Sequence, residues 1–352
     1  MRVAYWTTAS LEPRYEAVSR EVMDLQHAFP GSWVIAVNPH LRCRISWRGR
    51  YAGFHPGLDP ALRPFFRWAR TKFDIDHVYG NMTPWVFHKT LQEGPIVHTI
   101  TQSSTNPVRE FLERCDAIVV QSTATRDLVL ECGVDPGRVR LLHPGCDLGA
   151  FRPGEGSARE PIGRSILFAT SPRTAEEMKE RGVYLLLDAA VSDPSLKYEF
   201  LYRDWRNGYT SLLATRTAIA ERKLGNVQLT STVQTDMHRV YTQHAFTVVP
   251  FTSKAGGKEC PNSAVESLAC GVPVLVSSAC PFSTFVEEQG CGVVFEPTPA
   301  GLVNAASEGL ARWRELSRRA RAAAEEYFDG RKTLESYESI YRSALMETPC
   351  SV

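Results

Sequence analysis

No uncharged apolar run in this sequence approaches the roughly 18 residues that a membrane span requires. The opening Met-Arg-Val-Ala-Tyr-Trp reads as a first strand, not as a charged leader ahead of an apolar segment. A cytoplasmic protein is expected on both counts. Charge of one sign is also lacking: 40 basic residues stand against 39 acidic ones, for a net +1, which gives no support to a nucleic-acid binder with its usual basic excess. The nine cysteines include no C-x-x-C pair and are spread along the chain, so reduced thiols are expected and not a disulfide framework or a zinc site. Cys260, Cys270 and Cys280 are evenly spaced, but no His follows at ligand spacing.

What is present is alternation. Short runs rich in Val and Ile (Val3–Trp6, Trp33–Val37, Ile75–Tyr79, Ile96–Ile100, Ala117–Val120 and Val139–Leu142) are separated by helical patterns such as Arg14–Ala28, Ala61–Lys72, Val108–Cys115 and Ala124–Glu131. Residues Asp147–Arg164 then lose all period and are rich in Gly, Pro and charge, as a linker is. Beyond them strands are predicted at Ser165–Ala169, Tyr198–Tyr202, Val227–Leu229, Thr247–Pro250, Val272–Val276 and Gly292–Phe295, with a long helix at Ala300–Phe328. Strand–helix alternation implies parallel sheets covered on both faces. The 352 residues therefore read as two α/β domains in tandem: 1–155, and 160–330 followed by a C-terminal helix in 331–352 that packs back on the first domain. Ligands of such sheets sit outside the carboxyl ends of the strands.

The densest segment is Lys258–Ser277, KECPNSAVESLACGVPVLVS. Pro261 and Asn262 stop a loop and offer an N-cap, a short helix runs through Ala264–Ala269, Gly271 ends it, and Pro273 leads into a strand. The free N–H groups of Asn262, Ser263 and Ala264 form an anion site suited to a diphosphate, with the Glu266 carboxylate one turn further in. This segment resembles the signature of the retaining glycosyltransferases of family 4, in which an acidic residue, seven others and then Glu-Ala-x-Ala-x-Gly-x-Pro-Val mark the donor site. Glu266 to Val274 matches the second half closely. The resemblance implies a GT-B fold, two Rossmann-like doubly wound domains facing across a cleft that holds a nucleoside-diphosphate sugar. Glu266 would hold the ribose and the Pro261–Ser263 turn would meet the phosphates. In the first half of the motif the acidic position falls on Lys258, and Glu259 is one residue out of register. Either Glu259 takes that role, or Lys258 does and the sugar is read differently.

By the same resemblance Arg173 and Arg181, with Lys179 as the alternative to Arg181, would clamp the donor diphosphate, and His98 would lie beside the reacting sugar. The plainer alternatives are solvated loop charges and a structural histidine. Ser122 and the Pro144–Asp147 turn would border the cleft, the backbone of Val227–Val233 would meet the nucleobase, and Arg203 with Asp204 would shape the donor pocket or form an ion pair. A Gly-Gly turn usual after the first strand is replaced by Thr7–Arg14, leaving Ser10, Glu12 and Arg14 for the acceptor. Arginines and aromatics interleave in 42–72 (Arg42, Arg44, Trp47, Arg48, Arg50, Tyr51, Arg63, Phe65, Phe66, Arg67, Trp68, Arg70, Lys72). They suit either an interfacial helix at the inner face of an anionic membrane or a plain surface helix. No bound cofactor is expected. No metal is expected either, on the reading that no Asp-x-Asp ligand pair is present to bind one. The expected reaction is transfer of a sugar, with retention, to a small-molecule or lipid-linked acceptor. A non-catalytic nucleotide-sugar-binding or scaffold protein and a nucleotide-sugar epimerase on the same fold stay open as alternatives.

Overall fold

The computed structural model describes residues 1–8, 17–37, 45–55, 64, 71–80, 94–102, 109–154, 161, 163–203 and 210–347. The chain divides into two compact units, Met1–Gly145 together with the residues from Arg331 on, and Cys146–Gly330. The division falls ahead of the Asp147–Arg164 stretch, because Leu148 and Phe151 already pack against the core of the second unit.

The first unit holds β1 (Val3–Thr7), α1 (Ala17–Ala28), β2 (Trp33–Val37), β3 (Ile45–Arg48), β4 (Tyr51–Phe54), β5 (Ile75–Tyr79), β6 (Ile96–Ile100), α2 (Arg109–Leu112), β7 (Ala117–Val120), α3 (Thr123–Glu131) and β8 (Val139–Leu141). Its sheet runs β3-β4-β2-β1-β5-β6-β7-β8. Every pairing is parallel except the β3–β4 hairpin. Successive residues of one strand serve opposite faces. Ala4 and Trp6 join Ile35, Val78 and Ile118 in one core, while Val3 and Tyr5 join Val34, Tyr79 and Val119 in the other. Burial on both faces is why these runs are nearly all apolar.

The second core is closed by the C-terminal helix (Gly330–Glu347), through Tyr337, Ile340, Tyr341 and Ala344. A buried polar chain ties that helix to the sheet. His77 Nδ1 lies 2.6 Å from the Tyr341 hydroxyl, His77 Nε2 lies 2.8 Å from Thr99 Oγ1, and the Tyr337 hydroxyl lies 3.0 Å from Thr99 Oγ1.

Part of the 42–72 segment corrects the helical expectation. Residues 45–54 form the β3–β4 hairpin around a two-residue turn, in which Gly49 takes φ +59°. Ile45 and Trp47 alternate with Ser46 and Arg48 at strand period, and Trp47 stacks edge-on against Trp33 at 5.0 Å. Arg42, Arg44, Arg63, Phe65, Phe66, Arg67, Trp68 and Arg70 lie outside the described residues. Among the described residues no helix is long and apolar enough to cross a membrane.

The second unit holds β9 (Ser165–Phe168), α4 (Ala175–Glu180), α5 (Val183–Ser192), β10 (Lys197–Leu201), α6 (Thr210–Glu221), β11 (Val227–Thr230), α7 (Met237–Thr242), β12 (Phe246–Val249), α8 (Asn262–Ala269), β13 (Val274–Ser277), α9 (Ser283–Gln289), β14 (Gly292–Phe295), α10 (Pro299–Ala311) and α11 (Trp313–Tyr327). The sheet order is β11-β10-β9-β12-β13-β14, all parallel. The helix expected over Ala300–Phe328 is two, broken at Arg312 with φ −113°. The break turns Trp313 inward, where its indole donates to the Ala245 carbonyl at 2.7 Å. Cys260, Cys280 and Cys291 are buried in one apolar core, and burial pushes the thiols of Cys280 and Cys291 up to about 12.

Candidate active site

In the second sheet the chain winds outward from β9 to β11 on one side and from β12 to β14 on the other. The two directions part between β9 and β12. A crevice opens at such a point beyond the carboxyl ends of the strands, and ligands of doubly wound sheets bind there. The loops that flank it are Ala169–Thr174 after β9 and Pro250–Pro261 after β12.

The first loop is fixed by the cap of α4. The Thr174 hydroxyl accepts from the Glu177 N–H at 3.1 Å, and Glu177 Oε2 reaches back to accept the Arg173 N–H at 2.7 Å. This is a capping box shifted by one residue. The same Oε2 lies 3.4 Å from Arg181 Nη2, so the Arg173 backbone amide and the Arg181 guanidinium meet on one carboxylate. Arg181 is otherwise held loosely: Nη1 donates to the Ser171 carbonyl at 3.4 Å, and its buried Nε has no partner. Burial lowers its pKa, and the neighbouring Arg173 charge acts in the same sense.

The second loop is stitched to the first. The Thr252 N–H donates to the Glu180 carbonyl at 2.8 Å and its hydroxyl to the Lys179 carbonyl at 2.9 Å. Lys179 thus serves through its backbone, while Arg181 carries its guanidinium toward Ser171. Gly182 makes the stitch possible. It has φ +73°, and a Cβ there would stand 1.9 Å from the Pro250 carbonyl oxygen. Ser253, on the same loop, has a buried hydroxyl without a partner. Sequence reasoning missed it, because a serine in a loop carries no pattern.

Helix α8 begins at Asn262 with Pro261 as its N-cap, and no side chain caps it. Asn262 is thus the first helical residue, not the cap. The Ala264 N–H is not free as expected: it donates to the Pro261 carbonyl at 2.9 Å. The amides of Asn262 and Ser263 remain for a ligand. Lys258 sends its ammonium to Asn262 Oδ1 at 2.7 Å. Glu266 is 6% exposed, and its Oε2 accepts from the Tyr241 hydroxyl at 2.7 Å. Glu259 is 0% exposed, and its charge helps raise the Cys280 thiol.

His98 falls in the middle of β6 and not after it. Its Nδ1–H donates to the Val78 carbonyl at 3.3 Å, and its ring meets Phe111 edge-on at 5.2 Å. The residues that emerge from the strand end are Thr101 and Gln102. Burial lowers the His98 pKa to about 4, so the folded state keeps it neutral. Between pH 6.5 and 4 the unfolded chain binds a proton that the folded chain does not, so stability falls as pH falls. The slope is about 1.4 kcal/mol per pH unit, or about 2 kcal/mol lost by pH 5. Urea unfolding at pH 7.5 and 5.0 should show that loss, and His98→Gln should reduce it. An identical pH dependence in wild type and variant would refute this account.

In the first sheet the strands part between β1 and β5. At the carboxyl ends of β5 and β7, Glu21 Oε2 accepts from the Tyr79 hydroxyl at 2.7 Å and from Gln121 Nε2 at 3.4 Å, and Gln121 Oε1 is buried without a partner. No spacing or motif in the chain marks this cluster. Ser122 caps α3, accepting from the Thr125 N–H. Ser10, Glu12, Arg14 and Asp204 lie outside the described residues, while the Arg203 N–H donates to Ser171 Oγ at 2.6 Å. The one Asp-x-Asp spacing in the chain, Asp74 and Asp76, sits at the opposite end of β5. There Asp74 holds the Arg2 N–H and Asp76 the Trp6 indole.

The family model of group 1 glycosyl transferases matches residues 207–312, and that of glycosyltransferase family 4 matches residues 18–150. A D-inositol 3-phosphate glycosyltransferase of Mycobacterium marinum is 25% identical over 249 residues, 67% of this chain and 52% of that protein. D-inositol 3-phosphate glycosyltransferase 2 of Catenulispora acidiphila is 29% identical over 198 residues, 52% of this chain and 45% of that protein. The chain spans about half the length of these curated relatives. Among solved structures, sucrose-phosphate synthase of Thermosynechococcus elongatus superposes with a TM-score of 0.74 at 17% identity, covering 98% of this chain and 100% of that one. Anabaena HepE in complex with UDP superposes with a TM-score of 0.75 at 14% identity, covering 97% of this chain and 100% of that one. The fold is that of the GT-B glycosyltransferases, and the chain carries one segment matched by the group 1 glycosyl transferase model and another matched by the glycosyltransferase family 4 model.

Proposed function

We propose that the protein is a retaining glycosyltransferase that moves a sugar from a nucleoside-diphosphate sugar to a small-molecule or lipid-linked acceptor. The observation that carries this reading is the half-buried Arg181 guanidinium at the strand crossover point, loosely held and with an orphaned Nε, next to Arg173. A buried donor left unmade costs about 1–3 kcal/mol, and an incoming phosphate oxygen recovers it. Arg173 and Arg181 would take the charge that grows on the leaving diphosphate. The open amides of α8 would meet the phosphates. Glu266, steadied by Tyr241, would accept from the ribose hydroxyls. In a retaining transfer the acceptor hydroxyl attacks the face that the diphosphate leaves. The leaving phosphate takes the proton, so the protein supplies orientation and electrostatics and no strong base. The Glu21–Gln121 cluster is the natural place for acceptor hydroxyls.

A thermal-shift screen against UDP, GDP, ADP and TDP tests the reading, with UDP first because the HepE neighbour was solved with it. A ligand at 100 times its Kd stabilises the native state by about 2.7 kcal/mol. One nucleotide should raise Tm in the wild type and fail to do so in Glu266→Ala. No shift with any of them would favour a scaffold that has lost its donor.

A further inference from the structure

We propose that the β3–β4 hairpin is a docking surface for an anionic lipid bilayer, which Ile45 and Trp47 enter and Arg48 and Arg50 hold. Every residue involved lies at one edge of the first sheet, so this surface is independent of the donor-site reading.

The apolar face of the first sheet runs past its covered strands. Ala52 and Phe54 on β4 are 1% and 3% exposed and belong to the core that holds Ile35 and Val37. The register pairs Trp47 with Ala52 and Ile45 with Phe54, and residues directly opposite each other share a face of the sheet. Trp47 and Ile45 therefore carry that apolar face onto the edge strand, where they are 55% and 53% exposed. Among the described residues no other strand exposes two large apolar side chains. The charge beside them is of one sign. Arg48 and Arg50 flank the Gly49 turn and are exposed, and neither guanidinium makes an ion pair or a hydrogen bond. Between Asp24 and Asp74 the sequence holds eight Lys and Arg and one acid, Asp59, leaving 32 basic against 38 acidic residues in the rest of the chain. A nearly neutral protein thus concentrates its positive charge in the stretch that contains the hairpin.

Charge and shape together select the occupant. Each cation held near an anionic leaflet strengthens binding about fivefold. A tryptophan ring is stable at headgroup level, where its apolar body is buried and its indole N–H stays wet. Ile45 adds an aliphatic group that is taken up at the boundary with the acyl chains. A nucleic acid would meet the arginines but leave Ile45 in water. A second copy pairing edge to edge along β3 would bring two sets of unpaired arginines together, and charge on an edge strand is the usual device that prevents such pairing. The anionic bilayer alone satisfies both the cations and the apolar pair.

Co-sedimentation of the full chain with vesicles tests this, using phosphatidylcholine alone and phosphatidylcholine with phosphatidylglycerol. The wild type should partition at least about tenfold more strongly onto the anionic vesicles. It should lose most of that binding in about 1 M salt, where the Debye length is about 3 Å. Arg48→Ser combined with Arg50→Ser should weaken it about 20-fold, and Ile45→Ser about fivefold. These positions are exposed, so the Tm of each variant should match the wild type, which separates lost docking from lost folding. Anionic vesicles should also shift tryptophan emission to the blue, and Trp47→Phe should remove that shift. No binding to anionic vesicles overturns the proposal. So does binding that both the arginine and the Ile45 variants retain, for another face then meets the lipid. Binding of duplex DNA or RNA in place of vesicles, lost in the arginine variant, would make the hairpin a nucleic-acid surface instead. A dimer in sedimentation velocity that Ile45→Ser dissociates would make it a self-association surface instead.

Discussion

Gly182→Ala is expected to destabilise the second unit by about 4 kcal/mol or more, the range reached only by a small set of mechanisms. Two of them act here together. The residue sits at φ +73°, in the left-handed region that costs a side-chain-bearing residue roughly 1–2 kcal/mol. Its Cβ would also stand 1.9 Å from the Pro250 carbonyl oxygen. That oxygen belongs to the backbone leaving β12, so no side-chain rotation relieves the clash, and one loop must move away from the other. Gly163→Ala separates the two causes. Gly163 has φ +63° but nothing within 4 Å of its would-be Cβ, so its variant should lose only the conformational part. Urea unfolding of both variants, with hydrogen exchange to locate the opened region, measures the difference. A Gly182→Ala loss no larger than that of Gly163→Ala would mean that the two loops are not in contact. The functional consequence follows from the same geometry. The stitch between Thr252 and Glu180 holds Arg181 beside the loop that leads to α8, so the variant should lose nucleotide binding along with stability.

The strands were legible because burial on both faces of a parallel sheet demands uninterrupted apolar runs, and Val, Ile and Phe at Ile75–Tyr79 or Phe246–Val249 leave little else to predict. The break at Arg312 was not legible, since nothing in the periodicity of Ala300–Phe328 shows that Trp313 must donate to Ala245. In 42–72 the arginines hid a strand pair whose local cue was Gly49 between Arg48 and Arg50. At the site, residues on the regular part of a helix were placed well: Glu266 is one turn into α8 whatever the loop before it does. Residues on loops were not. Whether Lys258 or Glu259 faces the ligand depends on the direction of a single residue in irregular backbone, and sequence spacing carries no information on that. His98 is a case of position along a strand. In a five-residue strand, a shift of two positions moves a side chain from the ligand end to the middle of the sheet. Ser253 and the Glu21–Gln121 pair have no spacing at all to betray them, because tertiary folding alone brings them into place.

Arg181→Ala is expected to lower kcat by about 10²–10³, the usual loss when one preorganised donor to a developing charge is removed, while leaving the fold within about 1 kcal/mol of the wild type. The two effects part because the guanidinium does little for the free protein. Its contacts to Ser171 and Glu177 are each 3.4 Å long, and its Nε is buried without a partner. A group kept half-buried and poorly satisfied destabilises the resting fold slightly and is repaid when charge appears beside it. Arg181→Lys keeps the charge but not the planar fork, so its kcat should fall between the other two. Nucleotide release from whichever sugar nucleotide the protein accepts, with or without an acceptor, reads kcat. Equilibrium unfolding of the free protein reads stability. A variant that unfolds easily yet turns over normally once folded would make Arg181 a structural residue, and the diphosphate would then have to rest on Arg173 and the start of α8 alone. A variant that binds the bare diphosphate as the wild type does but turns over a hundredfold more slowly would place Arg181 on the transition state and not on the ground state. That outcome is expected if its loose contacts tighten only as the leaving group gains charge.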